Sequence, residues 1–407
     1  MNCRHCKTLL VNKFLDLGFS PPSNAYLTAG NLNQPEKYYP LRVLVCDHCW
    51  LVQTEDYADA SELFNSDYAY FSSTSAGWLL HAKRYAEDMI NRFSLGKDSL
   101  VVEIASNDGY LLKNFVSAGI PCLGIEPTAS TSAAAEALGI PVLHEFFAEA
   151  VGRKLADEGR QADIIAGNNV YAHVPDINDF TRGLTAALKR GGTITLEFPH
   201  VMRLIQQAQF DTVYHEHFSY FSLYTVTRIF ETCGLRVYDV EELPTHGGSL
   251  RIYGCHAGDT RGKNDRVKML LDAEVEFGLQ NAEIYAGFQA VANKVKDDLL
   301  EFLIAEKRKG KKVVGYGAAA KGNTLLNYAG VKPDLLPYIC DAAPSKQGKF
   351  MPGSHIPIFA PNILSKSKID SVLILPWNIA PEVMQQTANS VTAGTRYVTA
   401  VPELNIR

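Results

Sequence analysis

Four short apolar runs, separated by segments of helical length, constrain the middle of this chain more than any other feature. They are residues 99–106 (SLVVEIAS), 119–127 (GIPCLGIEP), 162–169 (ADIIAGNN) and 191–199 (GGTITLEFP). Each is rich in Val, Ile, Leu or Thr and bounded by turn-forming residues, the composition of a buried strand. Segments 109–118, 129–138 and 176–189 carry helical spacing between them. Parallel strands need crossovers of that length, so the pattern predicts an α/β fold: a parallel sheet with crossover helices.

Residues 75–93 precede this unit as an amphipathic helix, with Trp78, Leu79, Ala82, Tyr85, Ala86, Met89, Ile90 and Phe93 on one face. Residues 222–234 follow it as another; Ser222 caps it and Gly234 ends it. A long charge-laced stretch, 265–309, is expected to form one or two helices bridging domains. A second α/β unit then begins: 311–328 (KKVVGYGAAAKGNTLLNY) reads as strand, glycine turn and helix, and 333–341, 370–376 and 396–404 supply strands. At 407 residues the chain is too long for one ordinary core.

Cys3 and Cys6 form one C-x-x-C and Cys46 and Cys49 a second. Two such knuckles place four thiolates around Zn²⁺ with no open position, so the metal is expected to be structural. The intervening segment, with Pro21, Pro22, Pro35 and Pro40, reads as rich in loops. Cys122, Cys233, Cys255 and Cys340 lie in apolar contexts and read as core. The net charge of −5 and the lack of a long basic run weigh against a phosphate-tracking surface. No apolar run approaches the roughly 20 residues of a membrane span, and no signal-peptide pattern opens the chain. A cytoplasmic protein with reduced thiols is expected.

The run 101–112 (VVEIASNDGYLL) places Glu103 on a strand, then a small polar turn, Ser106-Asn107-Asp108-Gly109, then a helix. A turn against a helix N-terminus is where nucleotide-like ligands dock in doubly wound folds. Glu126, followed by Pro127, sits at the tip of the next strand, where an acid binds ribose hydroxyls. The turn lacks G-x-G-x-x-G, which suits a ligand without pyrophosphate, such as S-adenosylmethionine (SAM); Glu103 would face its amino acid portion. Asn168 and Asn169 end the third strand, on the rim where open sheets bind ligands, and His173 follows on the same rim. The asparagines also fit a plain helix-capping role.

The segment 213–220 (VYHEHFSY) holds two histidines, a glutamate and two tyrosines. If it is extended, His215 and His217 share one face and Tyr214 and Glu216 the other; a tight turn would break that alternation.

These motifs occur together in a known family. The knuckles, YAYFSS, VEIASNDGYLL, GIEPT, NNVYAHVPD, EFPH, YHEHFSYFSL, HGGSLR and GYGAAAKGNTLLN stand here in the order found in the SAM-dependent sugar C-methyltransferases, which act on nucleotide-linked 4-keto-deoxysugars. The resemblance covers nearly the whole chain. It departs at Ala105, where the family commonly has glycine. It implies a zinc-binding module over 1–65, a class I SAM methyltransferase domain over 66–260 and a Rossmann-like domain over 261–407 that helps hold the nucleotide-sugar. It implies methylation of a carbon beside the ketone, C3 being the expected one, through an enolate. That chemistry needs a base of near-neutral pKa and donors for an oxyanion.

By that similarity His217 is the leading base, with Tyr214 as its alternate or as the oxyanion donor. Glu216 would hold a sugar hydroxyl or amine, or orient a histidine. Tyr70 would close over SAM. His173 and His246 would line the substrate pocket, and Lys321 would meet the pyrophosphate. A monomer or weak homo-oligomer is expected, with no nucleic-acid or membrane partner.

Two other classes compete. A zinc-ribbon RNA methyltransferase would need a basic face beside the knuckles. An NAD-binding redox protein would use the Gly315/Gly317 turn; the one acid at hand for its ribose is Asp341, and a lone G-x-G is weak evidence.

Overall fold

The computed structural model describes residues 1–57 and 71–407. Three antiparallel strands open the chain: β1 (Asn12–Ser20), β2 (Tyr39–Val45) and β3 (Val52–Thr54). The segment read as rich in loops keeps a long loop between Ser20 and Tyr39, but it is flanked by the strands of a sheet. Its signal is a two-residue period: Leu41, Val43 and Val45 are buried and alternate with half-exposed Arg42 and Leu44.

The middle unit runs α1 (Ala76–Phe93), β4 (Val101–Ile104), α2 (Leu112–Ser117), β5 (Cys122–Ile125), α3 (Ala129–Glu136), β6 (Val142–Leu143), α4 (Glu149–Asp157), β7 (Ala162–Asn168), α5 (Ile177–Ala187) and β8 (Leu188–Pro199). It continues through α6 (Val201–Gln206), β9 (Ser219–Tyr220), α7 (Leu223–Thr232), β10 (Leu235–Leu243) and β11 (Ser249–His256). Its sheet has seven strands in the order β10-β11-β8-β7-β4-β5-β6. The four expected strands, β4, β5, β7 and β8, pair in parallel, and the short β6 adds a fifth. Two further strands, β10 and β11, extend one edge of this sheet and run antiparallel. The short β9 leaves this sheet and pairs with β3, becoming the fourth strand of the N-terminal sheet.

The stretch expected to hold one or two helices holds three: α8 (Asp265–Phe277), α9 (Ala282–Ala286) and α10 (Phe288–Arg308). Gly278, at φ 94°, ends the first, and Asn281 caps the second. The last unit comprises β12 (Val313–Tyr316), α11 (Ala320–Ala329), β13 (Ile339–Cys340), β14 (Ile358–Phe359), β15 (Ser371–Ile374), α12 (Ala380–Thr387), β16 (Arg396–Thr399) and β17 (Asn405–Ile406). Its sheet order is β14-β13-β12-β15-β16-β17, parallel except for β17. The doubly wound Rossmann-like pattern follows from that order.

The N-terminal segment fastens the other units together. Phe14 stacks on Phe288 of α10 at 4.7 Å, and Leu15, Leu41 and Val43 share a core with Leu299, Leu326 and Met351. Burying each such side chain stabilises by about 1.5–3 kcal/mol. Cys3, Cys46, Cys49 and Leu51 instead join the core beneath the seven-stranded sheet, beside Phe221 and Val226. Cys122, Cys233, Cys255 and Cys340 are all buried. Among the described residues no helix is long and apolar enough to cross a membrane.

Candidate active site

In the seven-stranded sheet the winding reverses between β4 and β7, and open α/β sheets bind ligands in the crevice at that point. The loop after β4 carries Ser106, Asn107, Asp108 and Gly109; β7 ends in Asn168, with Asn169 and His173 beyond it. Strain gathers here: Ala105, Asn107, Asn169 and His246 all have φ between 49° and 56°. Left-handed backbone at an L-residue costs roughly 1–2 kcal/mol, and such strain clusters at functional sites. Ala105 adopts a conformation that glycine takes without cost. Gly109 is needed for space as well as for its φ of 76°, since a Cβ there would sit 2.4 Å from Ile140 Cδ1.

The cleft is acidic. Glu103 is fully buried, and neither carboxylate oxygen has a hydrogen bond of ordinary geometry. Burial drives its pKa well up; Tyr110 lowers it in part, and the charges of Asp108 and Glu126 push it up again. Glu126 accepts from the Asn107 and Thr128 amides at 3.0 and 2.9 Å, so it braces the turn as well as facing the cleft. Asp108 accepts from the Ser73 amide at 3.1 Å, and the Ser72 amide donates to Asn107 at 2.9 Å. The chain just ahead of α1 thus closes over the turn. Ser106 packs its hydroxyl on Gly124, and Pro127 follows half-buried. Both side-chain ends of Asn168 and the Asn169 carbonyl oxygen are buried without partners. Three carboxylates and orphaned amides around one crevice match the sulfonium, ammonium and hydroxyls of SAM. Tyr70 lies outside the described residues.

The YHEH segment is a turn, so the extended reading is corrected. The His217 amide donates to the Tyr214 carbonyl at 3.0 Å, which brings their rings to 4.0 Å. The His217 ring lies 4.7 Å from His173. Its Nδ1 donates to the Thr212 carbonyl at 3.1 Å, leaving the Nε2 lone pair as the acceptor. Burial, then the neighbouring imidazoles and Lys321, hold His217 well below the usual histidine range, so it is neutral. His173 donates from Nδ1 to the Glu216 carbonyl at 2.8 Å and is pushed down to about 4 by burial. Glu216 accepts from Asn24 at 2.6 Å, and burial pushes its carboxyl up to about 7. His215 turns away, stacks edge-on against Tyr39 and donates to the Pro40 carbonyl at 3.2 Å.

His246 reaches the same place from the turn before β11. Its Nε2 accepts from Asn169 at 3.1 Å, and Trp78 packs 5.3 Å away. Arg251 of β11 is buried; it donates to Glu197 at 2.7 Å, and His81 meets the other oxygen at 2.8 Å. The last unit contributes Lys321. Its ammonium donates to Asn378 at 2.7 Å and lies 4.7 Å above the Trp377 ring, with no ion pair among the described residues. Trp377 donates to Asp211 at 2.8 Å and packs so close to Gly247 that a Cβ there would lie 2.6 Å from its ring. Lys321 therefore faces the histidine cluster across the junction of two units. Asp341 spans its own turn, accepting from the Ala318 and Ala343 amides at 2.7 and 2.8 Å. Both its oxygens brace the backbone of that turn, as those of Glu126 do in the middle unit.

The four knuckle thiols fit a metal. Their Sγ atoms all lie within 4.8 Å of one another, with Cys3–Cys49 and Cys6–Cys46 each at 3.5 Å. A tetrahedron with Zn–S near 2.3 Å has edges of about 3.8 Å. These residues would hold Zn²⁺ closed and structural, more than 40 residues of chain being tied at one point.

Sequence reasoning missed His81, Glu197, Asn24, Asp211 and Trp377. Glu197 stands in the EFPH motif at a strand end and was legible there. Asn24 lay in a stretch read as loop, and nothing in the sequence aims it at residue 216.

A family model described as "C-methyltransferase C-terminal domain" matches residues 244–402, one described as "Methyltransferase domain" matches 78–240, and one described as "Putative zinc binding domain" matches 3–64. The C-methyltransferase NovU of Streptomyces niveus is 33% identical over 368 residues, 90% of this chain and 87% of that protein. The chain belongs to the SAM-dependent C-methyltransferases. A SAM-dependent methyltransferase of Anabaena variabilis is 13% identical, with a TM-score of 0.37 over 49% of this chain and 96% of that one. Magnesium protoporphyrin IX methyltransferase of Synechocystis, solved with bound SAH, is 12% identical, with a TM-score of 0.35 over 44% of this chain and 84% of that one. Those two likenesses are too weak to carry an argument.

Proposed function

We propose that this protein methylates a carbon beside the keto group of a nucleotide-diphosphate-linked 4-keto-deoxysugar, C3 being the expected position, and that His217 is the base. One observation supports this most: a neutral imidazole with its Nδ1 anchored stands between Tyr214 and His173, in the unit that carries the acidic SAM crevice. A hydrogen flanking a ketone is weakly acidic, and general-base removal contributes about 10²–10⁴-fold.

In this reading His217 Nε2 takes the proton. Tyr214 directs its hydroxyl to the keto oxygen, where the enolate charge develops. Glu216 receives a hydroxyl or amine of the sugar, with Asn24 holding it in place. His173 and His246 line the pocket. Lys321, a half-buried cation with no ion pair among the described residues, takes the pyrophosphate. SAM supplies the electrophilic methyl group; Glu103, Ser106 to Gly109, Glu126, Pro127, Asn168 and Asn169 form its cleft. Residues 1–65, 66–260 and 261–407 act as zinc module, SAM domain and nucleotide-sugar domain.

The test is to incubate the enzyme with methyl-labelled SAM and a 4-keto-deoxysugar nucleotide in heavy water. The expected product carries the label on carbon, with deuterium exchange at that position when SAH replaces SAM. A label on oxygen or nitrogen, or no exchange at any carbon, overturns the reading.

A further inference from the structure

Arg4 stands between the first zinc-ligating cysteine and the rest of its knuckle, yet its side chain is not a surface group. It is 4% exposed and its guanidinium reaches three separate segments. Nε donates to the Phe218 carbonyl at 3.2 Å, one residue past His217. One terminal nitrogen donates to the Pro175 carbonyl at 3.2 Å, two residues past His173. The other donates to the Thr54 carbonyl at 2.9 Å and pairs with Asp56. The guanidinium also lies 4.9 Å above the Phe218 ring.

The knuckle and the loop meet at further points. The Arg4 amide donates to Gln53 Oε1 at 2.9 Å, and Gln53 Nε2 donates to Cys3 Sγ at 3.3 Å. Gln53 is paired with Ser219 in the sheet. Beside it, the Thr54 amide donates to the Phe218 carbonyl and its hydroxyl to the His217 carbonyl, both at 3.1 Å.

We propose that Arg4 is a positioning residue for methyl transfer: from the zinc knuckle it fixes, through a planar fork of donors, the two loops that carry His217 and His173. Five rigid donors in one plane set the separation of three carbonyls in a way a single ammonium cannot. The role rests on the reading of His217 as base. A shift of about 1 Å at a reacting group costs on the order of 10²-fold in rate.

The experiment compares Arg4→Ala, Arg4→Lys and Thr54→Val with the intact protein. Four quantities are read: bound zinc, SAH affinity, kcat and KM, and hydrogen exchange at the His217, Phe218 and Tyr220 amides. Arg4→Ala is expected to keep its zinc and its SAH affinity within about twofold, to lose on the order of 10²-fold in kcat with KM little changed, and to exchange those amides faster. Arg4→Lys should recover part of both kcat and protection. Thr54→Val leaves the guanidinium in place and removes the hydroxyl from the His217 carbonyl; it should lower kcat several-fold at full zinc, and it carries the test if Arg4→Ala does not fold. Wild-type kcat and exchange in a zinc-loaded Arg4→Ala overturn the proposal, as does zinc loss in that variant, which would confine Arg4 to folding the knuckle. If His217→Ala retains activity, the base reading fails; the amide exchange then still reports whether Arg4 holds the loop.

Discussion

Glu103→Gln should make the SAM-free protein more stable and SAM binding worse. Glu103 is fully buried between β5 and β7 in the sheet, with no ordinary hydrogen bond to either oxygen. An unsatisfied buried acceptor costs about 1–3 kcal/mol, more when charged. At neutral pH this carboxyl is either held ionised out of water or must take up a proton, and the amide of the same volume does neither, so a gain of about 1–3 kcal/mol is expected in the free protein. At roughly 2–4 °C per kcal/mol for a domain of 150–250 residues, Tm should rise by several degrees.

The bound state responds in the opposite direction. A hydrogen bond to a charged group contributes about 1.5–3 kcal/mol, so losing it weakens Kd by about 10- to 150-fold. With SAH at ten times the wild-type Kd, binding adds about 1.4 kcal/mol of stability; a tenfold weaker site leaves about 0.4 kcal/mol. Thermal melts with and without SAH, alongside calorimetric titration, measure both changes. An unchanged free Tm together with an unchanged SAH shift would refute the claim that this carboxylate is held strained for its ligand.

His217→Ala should lower methyl transfer by about 10²–10⁴-fold while SAH affinity stays within about twofold; full activity removes His217 from the base role. Glu216, whose folded pKa is raised to about 7, should make stability pH-dependent. Its native state holds a proton that the unfolded chain has released above about pH 4.5, so this stability is full at low pH and is lost as pH rises through 7. Glu216→Gln should flatten that slope in denaturant unfolding between those limits; an unaltered slope assigns it elsewhere. Cys3→Ser should release zinc and destabilise the N-terminal segment by several kcal/mol, measured by metal analysis and proteolysis; a variant that keeps its zinc overturns the four-thiolate assignment.

The parallel strands and their helices were legible because strand runs such as 101–104 and 162–168 are continuous, apolar and bracketed by turns. The antiparallel edge was harder: β11 follows a marked glycine turn, but β10, with Asp239, Glu241 and Glu242, carries no comparable apolar run. Its acids are tied by Arg92, Arg251 and Arg266, partners that only tertiary structure brings near. The N-terminal sheet hid because Pro21, Pro22 and Pro35 mark the long stretch between its first two strands as loop, and because its fourth strand lies far along the chain. At the site, the spacing of YHEH left open whether it was extended or turned. The turn is fixed by long-range partners: Asn24 on Glu216, Thr54 on the His217 carbonyl, Thr324 on the Val213 carbonyl.

The borrowed strand β9 also sets a timetable for synthesis. The N-terminal sheet emerges from the ribosome first but lacks its last strand until Ser219–Tyr220 has been made, and Phe14 waits longer still for Phe288. Until then Phe14, Leu41 and Val43 have no lasting cover, which makes the nascent chain a client for chaperones and a poor substrate for truncation. Shortened versions ending before α10 should collect in inclusion bodies, however well the middle sheet is able to form.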